Sequence, residues 1–338
     1  MNVFYISGKS AQREVKMSKI RYCIGVDLGG TNIAVGLVRL DTKSIVRQFS
    51  IKTKAPRSCE SISKDIASVA RKLCFSEHTR LEDVEWVGIA TPGIVKDGVV
   101  ITAYNLFWTN VELGKILSDV TKKPTYVAND ANAAAYAEAM WGSGQGSKSL
   151  VAFTLGTGVG GGIVINGRIW EGMNGFAAEM GHTILVPGGR SCVCGKRGCL
   201  EAYCSAPAFV KETKRIMRLY PDSLMWQEVS GDIERVRGRT AFLALEKGDK
   251  YAKMVVDNFI DFLSVAVENV INTFQPDVVS IGGGMSREGE TILAPLRERV
   301  SCKTFGIEGM QTKITAAEFK NDAGIIGAAL LGLQYEKK

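Results

Sequence analysis

Several features that would indicate a membrane or nucleic-acid-binding protein are missing from this chain. No apolar run reaches the ~18 residues needed to span a bilayer, and residues 1–20 lack the continuous hydrophobic segment of a secretory signal. The 42 basic and 35 acidic residues give a net charge of +7, but they are spread along the sequence without a basic run. We therefore expect a cytoplasmic protein with no membrane or nucleic-acid partner.

Cysteine and histidine are also scarce, with 8 and 2 residues among 338. Five of the cysteines are isolated, which suits a reducing compartment better than a disulfide framework and predicts ordinary buried thiols. These five are Cys23, Cys59, Cys74, Cys204 and Cys302. With 46% hydrophobic residues, the chain is long enough to bury a large core in roughly two domains.

The other three cysteines form a cluster with one of the histidines. Cys192, Cys194 and Cys199 follow His182 closely in the sequence. One imidazole and three thiolates are typical ligands of a closed tetrahedral zinc site. Because such a site leaves no open coordination position, the zinc would be structural.

Two carboxylates flank this cluster. Glu179 precedes His182 and Glu201 follows Cys199, so one metal ion would fix both glutamates at once. Core thiols or disulfides are the alternative interpretation, and the closeness of three cysteines to a rare histidine argues against it.

Three glycine-rich segments follow predicted apolar strands, and the second is predicted to be a loop over residues 156–162. Such turns can present backbone N–H groups to a phosphate, because glycine lets the backbone approach closely. A hairpin or strand-to-helix turn without a ligand would give much the same pattern. However, the glycine-rich turn recurs along the chain, and this recurrence favours two related domains that share a nucleotide cleft. The candidate cofactor-binding residues are Asp27, Gly29, Gly30, Thr31 and Asn32, then Gly156, Thr157, Gly158 and Gly160, and finally Gly282, Gly283 and Gly284.

Asp130 stands where a predicted strand, residues 126–128, meets a predicted helix, residues 131–140. A carboxylate at that position either caps the helix or projects into the cleft as a catalytic base. Asn129 and Asn132 could cap the helix equally well. The neighbouring phosphate loops favour the catalytic interpretation.

Taken together, these segments resemble the ROK family of sugar kinases and sugar-responsive repressors, and within it the bacterial glucokinases. The resemblance covers about residues 21–333, and its most specific part is the His-Cys-Cys-Cys-Glu segment. It implies an α/β, actin-like ATPase fold of the hexokinase and ribonuclease H type, with two domains and an interdomain cleft. The expected parts are an N-terminal extension (1–20), a small domain (21–128, with a return helix in 323–338) and a large domain with the zinc site (129–322).

The resemblance also implies a reaction. Asp130 resembles the family's general base, which would accept a proton from a glucose hydroxyl attacking MgATP, so that glucose 6-phosphate forms and enters glycolysis. His182 would bind zinc through one ring nitrogen and face the sugar with the other. A homodimer or homotetramer is expected. The implied substrate-binding residues are Asn105, Asn129, Asp130, Glu179, His182 and Glu201.

Two alternatives stay open at this point. A kinase for another sugar, such as N-acetylmannosamine, fructose or allose, would use the same fold, since specificity depends on a few hydrogen bonds. A repressor would need a DNA-binding helix-turn-helix, for which the 21 residues before Tyr22 are too few.

Two further segments carry expectations of their own. The polar segment 1–16 suggests that the functional protein starts at Met17. Residues 221–239 are expected to form a surface excursion near the nucleotide side, and the sequence assigns no chemistry to them.

Overall fold

A computed structural model describes residues 20–301 and 312–336. The predicted start at Met17, almost all of the predicted extension 1–20 and Cys302 lie outside these residues. Within them the strands are β1 (Tyr22–Leu28), β2 (Asn32–Arg39), β3 (Ser44–Lys52), β4 (Val87–Thr91), β5 (Ile94–Lys96), β6 (Val99–Ala103), β7 (Trp108–Val111), β8 (Thr125–Asn129), β9 (Ser149–Leu155), β10 (Val159–Ile165), β11 (Arg168–Ile169), β12 (Val278–Gly282) and β13 (Lys313–Ala316). The α-helices are α1 (Cys59–Ser76), α2 (Leu113–Thr121), α3 (Asp130–Met140), α4 (Glu201–Cys204), α5 (Ala206–Leu219), α6 (Met225–Glu228), α7 (Thr240–Glu246), α8 (Lys250–Phe274), α9 (Glu290–Ser301) and α10 (Ala323–Leu330).

Two five-stranded sheets share one arrangement. The first has the strand order β3-β2-β1-β4-β8 and the second has the order β11-β10-β9-β12-β13. In each sheet three antiparallel strands come first, and two further strands run parallel to the first of them. This duplication confirms the predicted α/β fold with two related halves. A small antiparallel sheet, β5-β6-β7, lies between β4 and β8 in the chain. The domain boundaries at 129 and 322 stay a prediction.

The return helix predicted near the C-terminus is α10, and it packs against the first sheet through glycines. A Cβ on Gly88 of β4 would lie 1.7 Å from the carbonyl oxygen of Ala328, and a Cβ on Gly327 would lie 1.8 Å from the carbonyl oxygen of Ala133 in α3. Only glycine permits backbone contacts this close. The same short helix therefore fixes α3 against the first sheet.

The second sheet is covered by a cluster of aromatic side chains from three helices. Phe209 stacks on Phe242 with ring centroids 5.1 Å apart, and it meets Phe259 edge-on at 5.3 Å. Part of segment 221–239 belongs to this core, so the expectation of a purely surface excursion was wrong. Its buried hydrophobic residues are Met225, Val229 and Val236.

The remaining structural expectations concern single thiols and membrane spans. Cys23, Cys59, Cys74 and Cys204 are buried and unpaired, as predicted. Among residues 20–301 and 312–336, no helix combines the length and apolar character needed to cross a membrane.

Candidate active site

A cavity of about 670 Å³ lies between the two sheets. Its volume is within the range of small-molecule sites. Asp27 at the end of β1, Asp130 at the start of α3 and the turn after β9 all line it. Further lining residues among those predicted from the sequence are Asn105, Asn129, Gly156, Thr157, Gly158, Gly160, Glu179, His182, Glu201, Gly282 and Gly283. The structure therefore brings most of the predicted sugar and nucleotide residues to one cavity.

The N-terminus of α3 distinguishes between the two interpretations of Asp130. Asn129 is the N-cap, because its Oδ1 accepts hydrogen bonds from the backbone N–H groups of Ala131 (2.9 Å) and Asn132 (3.2 Å). Its Nδ2 donates to the carbonyl of Gly93 at 2.9 Å. Most of the hydrogen-bonding capacity of Asn129 is thus used within the protein. Asp130 is released from capping.

Asp130 Oδ1 accepts a hydrogen bond from the neighbouring Ala131 N–H at 2.8 Å, and the side chain opens to the cavity. The protein mass around the cleft raises its pKa by desolvation, while hydrogen bonds from the Ala131 backbone and the Asn129 side chain oppose the shift. A carboxylate with free lone pairs, a raised pKa and access to a cavity is suited to accept a proton.

Other carboxyls in the cavity are shifted in the same direction. Desolvation, followed by the charge of Asp130, raises the pKa of Asp27 to about 6. Desolvation also raises the pKa of Glu179, and nearby His182 opposes that shift. Gly324 of α10 packs against Asp27, since a Cβ there would lie 2.6 Å from the Asp27 carboxylate. The cavity is therefore acidic and suited to a polyol or a metal-bound polyphosphate.

The four predicted zinc ligands lie together at one side of the cavity. One ligand atom from each of His182, Cys192, Cys194 and Cys199 falls within 4.8 Å of the others. The Sγ atoms of Cys194 and Cys199 are 3.7 Å apart, and Cys192 Sγ lies 3.6 Å from His182 Nδ1. Tetrahedral zinc with Zn–S bonds near 2.3 Å would place two sulfurs about 3.8 Å apart. The donor set therefore fits zinc.

Glu201 connects this ligand cluster to the second glycine-rich segment. Its Oε2 accepts a hydrogen bond from the Val159 N–H at 3.0 Å, and its Oε1 lies 3.8 Å from Cys192 Sγ. A Cβ on Gly158 would approach the same carboxylate to 2.5 Å. One side chain thus joins the predicted zinc ligands, the turn after β9 and the cavity.

Several predicted cofactor residues do not line the cavity. Gly29, Gly30 and Thr31 form the turn between β1 and β2, and Asn32 begins β2, where its Oδ1 accepts a hydrogen bond from Lys52 Nζ at 3.0 Å. Gly30 packs behind the cavity residue Asn105, since a Cβ there would lie 3.0 Å from the Asn105 Cβ. Gly284 also lies outside the cavity wall. Their nucleotide contacts stay predictions.

The predicted loop 156–162 is shorter than expected. β10 begins at Val159, so the turn itself contains only residues 156–158. Gly160 and Gly162 are strand residues packed against α3, where a Cβ would lie 3.1 Å from that of Ala131 and 2.5 Å from that of Ala135, respectively. The prediction of a longer loop was wrong because these glycines lie in a strand and allow it to pack against α3.

Some cavity residues were not predicted. Glu138, Ser280, Ser286, Lys320 and Asn321 line the wall near Gly282 and Gly283. Lys320 and Asn321 follow β13, the last strand of the second sheet, and polar residues just beyond a parallel strand were the available signal. Glu138 lies in an alanine-rich helix and gave no signal.

Comparisons with known proteins agree with this geometry. The model of the ROK family matches residues 23–335. A glucokinase of Thermotoga maritima is 38% identical over 309 residues, which are 90% of this chain and 95% of that protein. A crystal structure of a ROK family glucokinase from Streptomyces griseus, in complex with glucose and AMPPNP, has a TM-score of 0.75 and 34% identity, covering 93% of this chain and 99% of that one. A xylose repressor of Caldicellulosiruptor bescii is 28% identical over 90% of this chain and 76% of its own length. The match over nearly the whole described chain shows that the protein belongs to the ROK family.

Proposed function

We propose that this protein transfers the γ-phosphoryl group of ATP to glucose and forms glucose 6-phosphate. The observation that carries the proposal is the position of Asp130, which is free of the capping role and opens to a cavity shared with Glu179, His182 and Glu201. Similarity to glucokinases, one of them bound to glucose and an ATP analogue, supports the choice of substrates.

In this mechanism Asp130 accepts the proton of the hexose hydroxyl as its oxygen attacks the γ-phosphorus. A new O–P bond forms, the bond to the ADP oxygen breaks, and the proton remains on the carboxyl of Asp130 until it passes to solvent. Such general-base catalysis contributes about 10²- to 10⁴-fold. Positioning and phosphate contacts supply much of the rest.

The cavity can also serve the phosphates and their counter-ion. Asp27 lines the cavity and would hold Mg²⁺, which would neutralise charge on the transferred phosphoryl group. The turn of residues 156–158 and Gly282 and Gly283 are proposed to contact the nucleotide. Asn105, Asn129, Glu179, His182 and Glu201 are proposed to bind the sugar hydroxyls.

We further propose that His182, Cys192, Cys194 and Cys199 hold a structural zinc ion. Zinc would fix the His182 ring and, through Cys192, the neighbourhood of Glu201, so the metal would shape the sugar end of the cavity. We also propose, from the similarity to glucokinases, a cytoplasmic location, a role in glycolysis and assembly as a homodimer or homotetramer.

A kinase for another hexose is the second candidate. A putative N-acetylmannosamine kinase from Listeria monocytogenes has a TM-score of 0.73 and 25% identity to this chain. The same residues would perform the same transfer, and only the hydrogen bonds to the sugar would differ.

The deciding experiment is ATP-dependent phosphorylation of glucose, mannose, fructose, allose, N-acetylglucosamine and N-acetylmannosamine, with a control that lacks sugar. We expect glucose to be preferred and ATP hydrolysis without sugar to be slow, because sugar binding helps to exclude water. Turnover on another sugar alone would replace the substrate. No turnover on any sugar, or equal hydrolysis without sugar, would overturn the kinase proposal.

A further inference from the structure

A second carboxylate of α3, Glu138, lies toward the opposite end of the helix from Asp130. Glu138 is only 2% exposed, although it contributes to the cavity wall. Across residues 20–301 and 312–336, no lysine or arginine forms an ion pair with it. A buried carboxylate without a cationic partner is costly unless hydrogen bonds satisfy it.

Three backbone N–H groups satisfy the Glu138 carboxylate. Its Oε1 accepts from Glu318 at 2.8 Å and from Phe319 at 2.9 Å, while its Oε2 accepts from Ser143 at 3.0 Å. A Cβ on Gly142 would lie 2.5 Å from the same Oε2, so the turn after α3 is closely packed against the carboxylate. Glu138 therefore joins α3, the following turn and the segment between β13 and α10.

The last of these segments forms one end of the cavity. Ala317, Lys320 and Asn321 line the wall beside Gly282 and Gly283, the glycines proposed to contact the nucleotide. Lys320 has a left-handed φ of 49°, an unusual conformation for a lysine that its surroundings must maintain. The two residues immediately before it, Glu318 and Phe319, are held by the hydrogen bonds that their N–H groups donate to Glu138.

We propose that Glu138 is a positioning residue that fixes the nucleotide end of the cavity relative to Asp130. This inference rests on the proposed function. Asp130 and Glu138 lie on one helix, about 12 Å apart along its axis. A helix of this length moves as a unit, so the carboxylate sets the distance between the wall that holds ATP and the base that accepts the proton. Displacements near 1 Å between reacting groups reduce turnover strongly.

The test is Glu138→Gln, which keeps the shape but turns one accepting oxygen into a donor. We expect the KM for ATP to rise about tenfold, as for loss of one hydrogen bond to a charged group, with the Kd for glucose within about twofold of wild type. Amide hydrogen exchange in residues 317–321 should accelerate. Steady-state kinetics, calorimetry and exchange mass spectrometry provide these values.

Asp249→Asn is the matched control. Asp249 is 6% exposed and accepts hydrogen bonds from Ser223 Oγ, the Tyr251 N–H and the Ala252 N–H, but it does not line the cavity. This variant should lower Tm without changing the KM for ATP. An unchanged KM for ATP in Glu138→Gln, or equal changes in both variants, would overturn the inference. If the glutamine variant does not fold, Glu138→Asp takes its place, since it withdraws the carboxylate by one methylene.

Binding of a non-hydrolysable ATP analogue separates this inference from the proposed function. Absence of sugar phosphorylation by the wild type would overturn the function, whereas tighter analogue binding by wild type than by Glu138→Gln would still support the positioning role. Equal analogue affinity in the two proteins would overturn the positioning role even if glucose is phosphorylated.

Discussion

Substitution of Asp130 separates catalysis from helix capping. In Asp130→Asn the amide oxygen can still accept the 2.8 Å hydrogen bond from the Ala131 N–H, but the side chain cannot take a proton. We expect turnover to fall by about 10²- to 10⁴-fold, the usual contribution of a general base. Glucose affinity should stay within about threefold, because the neutral amide keeps the size and polarity of the carboxylate. A coupled assay gives the turnover, and calorimetric titration gives the affinity.

A second measurement compares how substitutions of Asp130 and of its neighbour Asn129 change the free energy of unfolding. Because Asn129 holds the N-cap, Asp130→Ala should change the free energy of unfolding by less than about 0.5 kcal/mol. Asn129→Ala should lose about 1 kcal/mol, the usual value of an N-cap. The charge of Asp130 also raises the pKa of Asp27, so its removal relieves a repulsion instead of breaking a favourable contact.

Two results would refute this reasoning. Turnover by Asp130→Asn within about tenfold of wild type would remove Asp130 from the role of base. A loss of unfolding free energy in Asp130→Ala as large as that in Asn129→Ala would show that Asp130 contributes to the cap.

Three further predictions follow from the structure. The pKa of Asp27 is raised from 3.8 to about 6, so its ionised form is unfavourable in the folded protein and its contribution to stability is complete below pH 3.8. That contribution disappears as the pH rises through 6. Without Mg²⁺, the free energy of unfolding of the wild type, measured with denaturant, should therefore fall by up to about 3 kcal/mol over this window relative to Asp27→Asn. Gly88→Ala should destabilise by at least 1–3 kcal/mol, roughly the cost of overpacking, whereas Gly238→Ala, whose Cβ would meet nothing closer than 3.8 Å, should have little effect. Cys194→Ser, or chelation, should release the proposed zinc and reduce activity, and Cys74→Ser should keep the metal content measured by elemental analysis.

Each of these has a contradicting outcome. A difference between wild type and Asp27→Asn that does not vary with pH would exclude the raised pKa. Equal stability of the Gly88 and Gly238 variants would show that α10 can move away from the sheet without cost. Full metal content in Cys194→Ser would show that this thiol is not a ligand.

Local patterns predicted the parts of the site that are close in sequence. His182 and the three cysteines converge because short turns bring them together, and positive φ angles at Gly195 and Gly198 provide those turns. The strands could also be predicted, because β1 and β12 are short, mainly apolar segments that are buried in the interior of their sheets. Ligand spacing and strand patterning are both local properties.

Contacts between distant segments explain what the sequence did not predict. Asn129, Asp130 and Asn132 are all residues that cap helices, and the choice among them involves the Gly93 carbonyl, which lies on the neighbouring strand connection. The packing of Gly160 against α3 likewise depends on the folded arrangement. Glu138 could not be recognised as a site residue because its partners Glu318 and Phe319 lie far along the chain.

The packing of α10 has a consequence for how the chain is made. The first sheet is complete once β8 has been synthesised, yet the helix whose backbone lies against Gly88 comes only after the entire second sheet. During translation, the face of the first sheet that α10 covers stays exposed until α10 has left the ribosome. Contacts of such long sequence separation form slowly. We therefore expect the second half of the protein to complete its own core first, and the first half, although it is synthesised earlier, to reach its native state later.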